Sequence, residues 1–353
     1  MLIYKYSIIF QAMKLIRILR YLLIPFSLIY GLILLLRNLL YDVKLLRSYK
    51  TKIPSLGVGN LSLGGTGKSI LVDYLLDVFS KDHFLGVISR GYGRKTKGYI
   101  LANSFSTALD IGDEPLQFYK KHQDIKVVVC EDRVYAMKKL AENFKDISML
   151  IFDDIMQHRR IKVDHLILTT SFSEPFFNDC PVPSGNLREF SNGMKRAKTI
   201  LVTKCPTNLS ESEKLNFIKK CKITEKQSIY FTTIFYSKTI INYKEKLKLN
   251  SLVNQKVLLI TSIANPEPLL EYLRALKIFI RHLKYRDHFN FDNKSITNIR
   301  KIASGSIVLT TEKDYMRLHS SLKSNKLFYL PISLNFFSLN DENKFKQSLK
   351  LFS

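Results

Sequence analysis

Along the chain, short apolar runs bounded by turn residues alternate with amphipathic stretches of helical period, which predicts an α/β protein with a mainly parallel sheet. Strands are expected over 53–59, 84–89, 125–130, 148–154, 164–169 and 199–204, and helices over 68–80, 114–122, 132–144 and 210–222. A further β-rich piece, 228–236, precedes the polar stretch YKEKLKLNSLVNQK, where a domain boundary is placed. A second, smaller α/β domain then opens with KVLLITSIA (256–264), continues with the helix PEPLLEYLRALK, and carries two more apolar runs over 306–314 and 327–334. The expected organisation is an N-terminal segment over 1–50, a core over 51–240 and the smaller domain over 241–353.

The N-terminal segment breaks this alternation. Between Arg20 and Arg37 the sixteen residues YLLIPFSLIYGLILLL carry no charge. At about 1.5 Å per residue they reach roughly 24 Å, short of a hydrocarbon core of about 30 Å. They span only if Arg17 and Arg20 snorkel; otherwise they lie in the interface. Nothing after Leu36 offers the small-residue cleavage site of a secretory signal, so the segment reads as a membrane helix, with its more basic C-terminal side cytoplasmic. The pattern opens at Met13, which leaves Met1 and Met13 as alternative starts.

Composition narrows the class. With 353 residues and 46% apolar content the chain is neither disordered nor fibrous. The 55 Lys and Arg against 30 Asp and Glu leave a formal charge of +25, which points to an anionic partner. Residues 1–52 hold nine cations and one anion, so the excess is concentrated beside the apolar segment, where an anionic membrane surface accounts for it. No helix-turn-helix spacing, zinc pattern or RNP-like aromatic motif supports nucleic acid as the partner, and no obligate protein partner is expected. The cysteines at 130, 180, 205 and 221 form no C-x-x-C pair and read as reduced thiols of a cytosolic body.

Chemistry enters with SLGVGNLSLGGTGKSI, an expected strand, a glycine-rich turn and a helix opening at Lys68-Ser69. Backbone N–H groups of Gly64, Gly65, Thr66 and Gly67 can cradle phosphate oxygens, Lys68 can reach the β- and γ-phosphates, and Ser69 can ligate Mg²⁺. This is a P-loop NTPase-like arrangement, although Ser62 stands where the general consensus has Gly. SMLIFDDIMQHRR reads as the strand that ends in a metal-holding carboxylate, Asp153 or Asp154, without deciding between them. SRGYGRK places Arg90 and Arg94 in a glycine-containing turn after a strand, either a phosphate-holding loop or an exposed basic turn. IGDEPLQF sets Asp113 and Glu114 at a helix start, which the helix dipole favours by itself. PSGNLRE offers Arg188 as an anion clamp or a plain ion-pair partner, and YRDHFNF places His288 in a polar, aromatic setting.

In order along the chain, GNLSLGGTGKS, SRGYGRK, GDEP, DDIMQHRR, PSGNLRE, VTK, YRDHFNF and TTEKD resemble the motifs of the tetraacyldisaccharide 4'-kinase family, the lipid A 4'-kinases. The resemblance covers nearly the whole chain, including the opening MKLIRILRYLLIPFSLIYG. It implies ATP- and Mg²⁺-dependent phosphorylation of the 4'-hydroxyl of a lipid A disaccharide 1-phosphate, at the cytoplasmic face of a Gram-negative inner membrane. It implies that Asp113, as base, acts with His288 on the hydroxyl, beside Lys68, and that Arg90, Arg94, Glu114, Gln157, His158 and Arg188 contact substrate. The family shares the Ser62 departure. Its usual Thr-Pro after the P-loop lysine is Ser69-Ile70 here, its aromatic in the Asp-Asp-x-Phe-Gln-His run is Met156, and its Leu-Pro-Ala-Gly loop reads Val182-Pro183-Ser184-Gly185. A different class, a membrane-anchored P-loop GTPase or ATPase switch, would need an Asn/Thr-Lys-x-Asp guanine reader. The nearest run, Thr203-Lys204-Cys205-Pro206, has Pro in the Asp position.

Overall fold

A computed structural model describes residues 20–122 and 124–350. The stretch MKLIRIL and both possible start methionines lie outside the described residues. In chain order the elements are α1 (Ile24–Asp42), β1 (Ser55–Asn60), α2 (Lys68–Phe79), β2 (Leu85–Ser89), β3 (Ile100–Leu101), α3 (Ala108–Ile111), α4 (Asp113–Lys121) and β4 (Lys126–Val129). They continue with α5 (Arg133–Asn143), β5 (Met149–Phe152), β6 (His165–Ser171), β7 (Thr199–Thr203), α6 (Glu211–Cys221), β8 (Ser228–Tyr236), β9 (Thr239–Ile241) and β10 (Lys246–Lys248). The last are β11 (Lys256–Thr261), α7 (Glu267–Ala275), β12 (Phe279–Lys284), α8 (Asn293–Ala303), β13 (Ile307–Thr311), α9 (Glu312–Leu322), β14 (Leu327–Leu330), β15 (Ile332–Phe336) and α10 (Leu339–Lys350).

Two compact units share the chain, and their bounds differ from the expected ones. The first takes the chain up to Lys68, then Asp154–Thr233, and again from Phe336 on; the second takes Ser69–Asp153 and Ile234–Asn335. Residues 69–153, expected in the core, instead group with the later domain, and the C-terminal helix returns to the first unit, because packing partners rather than chain order define a unit.

In the first unit the parallel order is β8-β7-β6-β1, with Val58 opposite Ile167 and Leu168 opposite Ile200. Every residue of β1 is buried, as expected of a parallel strand covered on both faces. The core beneath it joins Leu61, Leu168, Leu187, Ile200 and Phe217, each such side chain contributing about 1.5–3 kcal/mol on burial. Helix α6 starts where the sequence puts a capping box: Ser210 accepts from the Glu213 N–H, and Glu213 accepts from that of Ser210. Phe345 of α10 is fully buried and meets the ring of Tyr230 edge-on at 5.3 Å.

Helix α1 belongs to this unit and has two unlike faces. Ser27 and Gly31 are buried on one side. A Cβ at Gly31 would sit 2.5 Å from the Phe190 ring, so a larger residue there would require that ring to move. The other side exposes Phe26, Leu32, Ile33 and Leu36 (62%, 58%, 62% and 59%). The helix is long and apolar enough to cross a membrane.

In the second unit β5, β2 and β4 are parallel neighbours and β3 closes the edge antiparallel to β4. A six-stranded sheet follows in the order β10-β9-β14-β13-β11-β12, parallel from β14 to β12. Several expected elements end early. The run expected as strand over 306–314 stops at Thr311, whose side chain accepts from the Asp314 N–H and so caps α9 instead. The strand expected over 148–154 ends at Phe152, and Asp154 turns to φ 51°. Strand β12 and helices α8 and α10 carry no expectation: FIRHLK alternates too weakly, and the two helices, NKSITNIRKIA and LNDENKFKQSLK, are polar enough to look like loop.

Candidate active site

In the first unit the glycine-rich turn is held as a cradle by side chains on three strands. Asn60, the last residue of β1, donates from Nδ2 to the Ser62 carbonyl at 2.8 Å, to that of Gly64 at 3.3 Å and to Thr66 Oγ1 at 2.9 Å. Thr66 Oγ1 also meets Thr169 Oγ1 of β6 at 2.8 Å, and Thr203 of β7 donates to the Thr66 carbonyl at 2.9 Å. Lys204 Nζ donates to the Gly65 carbonyl. Gly67 sits at φ 81°, where a side chain would strain the backbone and crowd Thr203. The carbonyls of the turn are thus engaged by side chains, and successive N–H groups of such a turn are the kind of donors that hold an anion.

Lys68 Nζ lies 3.5 Å from Asp154 Oδ1, and Arg188 Nη1 donates to both oxygens of the same carboxylate at 2.9 and 2.8 Å. Asp154 is therefore flanked by two cations. Gln157 Nε2 donates to the Asn60 carbonyl at 2.9 Å, and its Oε1 accepts from Arg188 at 3.3 Å. His158 lies in the turn after Asp154, its N–H donating to the Ile155 carbonyl at 2.8 Å. The loop bearing Arg188 runs beside the cradle, with the Arg188 N–H donating to the Leu61 carbonyl at 2.6 Å and that of Leu63 to Asn186 at 2.8 Å.

In the second unit the structure brings together Asp113 and His288, which stand far apart in sequence. His288 Nδ1 is 2.9 Å from Asp113 Oδ2, and Asp113, at the first turn of α4, is only 5% exposed. Arg317 of α9 donates from Nε and Nη2 to the two oxygens of that carboxylate and from Nη1 to the Phe289 carbonyl at 3.0 Å. Burial lowers the Arg317 guanidinium to about 10, which leaves it charged at neutral pH. The exposed Tyr92 ring meets His288 edge-on at 5.1 Å. Glu114 accepts from both Ser69 and Lys313. Burial works to lower the Lys313 ammonium, but Glu114, with Asp153 and Asp287, outweighs it and the net direction is upward. Asp153 is buried and accepts from Ser89 Oγ at 2.9 Å.

Two of the basic residues expected at substrate go different ways. Arg90 is exposed at the end of β2. The Arg94 side chain is buried and donates to Glu131 and, at 2.9 Å, to the Gly98 carbonyl. Burial acts to raise the Glu131 carboxyl, yet the bonds from Arg94 and from the Glu131 and Gly98 backbone pull it down to about 2. Sequence reasoning misses Lys313 and Arg317, because the TTEKD run is assigned to a strand. Read as a helix, it places positions 313 and 317 four apart on one face.

The oxygen donors Ser69 and Asp153 suit Mg²⁺, which commonly takes one or two protein ligands and completes its octahedron with phosphate and water. Among the described residues no group of three or more His, Cys, Asp or Glu gathers as an all-protein metal cage.

Comparison with known proteins converges on one group. A family model described as LpxK, Tetraacyldisaccharide-1-P 4'-kinase, matches residues 19–351. A tetraacyldisaccharide 4'-kinase from Flavobacterium psychrophilum is 41% identical over 94% of this chain and 96% of its own length. One from Bacteroides thetaiotaomicron is 34% identical over 92% and 91%. The crystal structure of LpxK from Aquifex aeolicus in complex with ATP superposes with a TM-score of 0.77 at 27% identity, covering 95% of this chain and all of that one.

Proposed function

We propose residue roles for a chain that belongs to the tetraacyldisaccharide 4'-kinase family and is, as such, an ATP-dependent kinase of lipid A biosynthesis. The acceptor is the 4'-hydroxyl of the tetraacyldisaccharide 1-phosphate. The GTPase switch is not favoured.

ATP lies with its β- and γ-phosphates on the N–H groups of Gly64–Gly67, and Lys68 neutralises the charge that develops on the transferring group. Ser69 and Asp153 would hold Mg²⁺, since Asp154 is already engaged by Lys68 and Arg188. That ion, when bound, neutralises β- and γ-phosphate oxygens. Asp113 and His288 act as a pair on the hydroxyl. As the oxygen bonds to the γ-phosphorus, its proton passes to the pair, and the bond to the β,γ-bridging oxygen breaks to release ADP. A carboxylate is a weak base for a sugar hydroxyl, so in-line positioning and charge neutralisation supply most of the rate. Arg90, Glu114, Gln157, His158 and Arg188 are the substrate contacts we retain; Arg94, turned to Glu131, organises its own loop.

We assign α1 to the interface of a Gram-negative inner membrane, on the cytoplasmic face where ATP is available. Its contacts with the body run from Ser27 to Asp42, about 22 Å of helix, so that length is not left to cross a core of about 30 Å. An apolar face above basic flanks suits a helix lying in the headgroup region.

The Asp113–His288 contact at 2.9 Å is the observation that supports these roles best. The test is incubation with ATP, Mg²⁺ and a lipid A disaccharide 1-phosphate, with mass analysis of the lipid. A phosphate-sized gain is expected, whereas nucleotide hydrolysis without a lipid product would return the reading to a switch.

A further inference from the structure

We propose that Asn38, on the body-facing side of α1, is a positioning residue for the phosphate cradle, so that the docked face of the membrane helix sets turnover while its apolar face sets membrane binding. This rests on the reading of Lys68, Asp154 and Arg188 as groups of the nucleotide site.

An unbroken series of polar contacts within the first unit carries it. Asn38 Nδ2 donates to Glu189 Oε2 at 2.8 Å. Glu189 is 2% exposed, and its other oxygen accepts from Arg196 at 2.7 Å and Gln157 at 3.1 Å. Gln157 in turn holds the Asn60 carbonyl at the start of the cradle and accepts from Arg188, which grips Asp154 beside Lys68. A buried carboxylate deprived of a donor must find another or suffer the desolvation penalty, and here the nearest adjustment re-aims Glu189 and shifts Gln157.

Two further bonds make α1 a template for the same groups. Arg37 Nη2 donates to the Gln157 carbonyl and Tyr30 Oη to the Arg188 carbonyl, each at 3.1 Å. The helix thus holds Gln157 at its main chain directly and at its side chain through Glu189, and holds Arg188 at its main chain. A helix serving only as a tether needs none of these polar contacts; an apolar face and a flexible connection suffice.

The experiment uses the full chain with ATP and the disaccharide lipid in mixed micelles, beside flotation with vesicles containing anionic phospholipid. Asn38→Leu is expected to lose about tenfold or more in kcat, with a raised KM for ATP, while still floating. The variant Leu32→Asn/Leu36→Asn is expected to float poorly yet keep kcat in micelles within about twofold. Combining Asn38→Leu with Glu189→Gln should cost little beyond the larger single loss, since both act through one network. Because Asn38→Leu also alters packing, Tyr30→Phe removes a hydroxyl alone: a loss of about two- to fivefold in kcat at an unchanged thermal midpoint is expected. Wild-type kcat and KM for ATP in both Asn38→Leu and Tyr30→Phe, or strictly multiplicative losses in the combined variant, would overturn the proposal. Lys68→Ala separates the two claims: full turnover in that variant sinks the nucleotide-site reading itself, whereas an inactive Lys68→Ala beside fully active Asn38→Leu and Tyr30→Phe sinks only the positioning role.

Discussion

The glycine-rich turn around Lys68 and the cluster around Asp113 are built on opposite plans. The cradle is contiguous: Asn60 to Lys68 fold on themselves, and the side chains from Thr169, Thr203 and Lys204 merely steady the loop. The cluster is assembled from a helix start at Asp113, a loop at His288 and a helix interior at Arg317, and no two of its members are neighbours in sequence. Local backbone geometry can make an anion site by itself, because N–H groups need only a turn and a helix. A proton-transferring pair needs two side chains at a set distance, which only packing can impose.

The largest expected effect attacks the contiguous half. Lys68→Ala should lower kcat on the order of 10³-fold or more while the protein still floats with vesicles. A variant that keeps its turnover would remove the cradle from the reaction.

The next tests whether the dispersed half acts as one body. Asp113→Ala and His288→Ala should each cost about 10²- to 10⁴-fold, and the double variant little more than the worse single. Independent, multiplicative losses would show that nearness in the fold is not cooperation in the chemistry.

Arg317 sharpens the same point with a smaller effect. A bidentate arginine favours the ionised form of a carboxylate. In Arg317→Ala kcat should therefore fall by about tenfold, with Arg317→Lys intermediate. Wild-type kcat in Arg317→Ala would leave Arg317 a packing residue only.

The smallest effect lies behind the cluster, where Glu312 opens α9. Burial lifts its carboxyl to about 7; Lys121 opposes the rise, Asp73 adds to it, and His122 and Gln117 oppose it. Asp73 itself accepts from His122 at 2.9 Å and from Lys121. A carboxyl raised above its unfolded value of 4.5 stabilises the fold fully below that value, and the contribution is lost as pH rises toward about 7. Thermal midpoints should therefore decline from pH 5 to pH 8 in the wild type, and less so in Glu312→Gln. Equal slopes for the two proteins would mean that Glu312 titrates normally.

The two plans also explain what could be read in advance. The strand, glycine turn and helix around Lys68 follow from local composition, and the structure places them within a residue or two of expectation. So do the strands flanking Asp153 and Arg90, whose apolar runs admit one reading. The family resemblance singled out Asp113 and His288, but pattern alone made one a helix-start carboxylate and the other an isolated histidine. Lys313 and Arg317 escaped because TTEKDYMRL has β-branched residues at its head, and the cap at Thr311 that turns it into a helix becomes visible only in the fold.

The sequence by itself determined the nucleotide chemistry, the α/β class and the presence of an apolar basic-flanked helix, since each is a property of neighbours along the chain: spacing, turn residues and charge. Tertiary structure decided that Asp154 is held by Lys68 and Arg188, that Arg94 turns to Glu131 rather than outward, and that α1 is docked along its polar face by Ser27, Tyr30 and Asn38. Those outcomes depend on which partners packing brings within about 3 Å, and hydrogen bonds of that range are selected by geometry that no stretch of sequence contains.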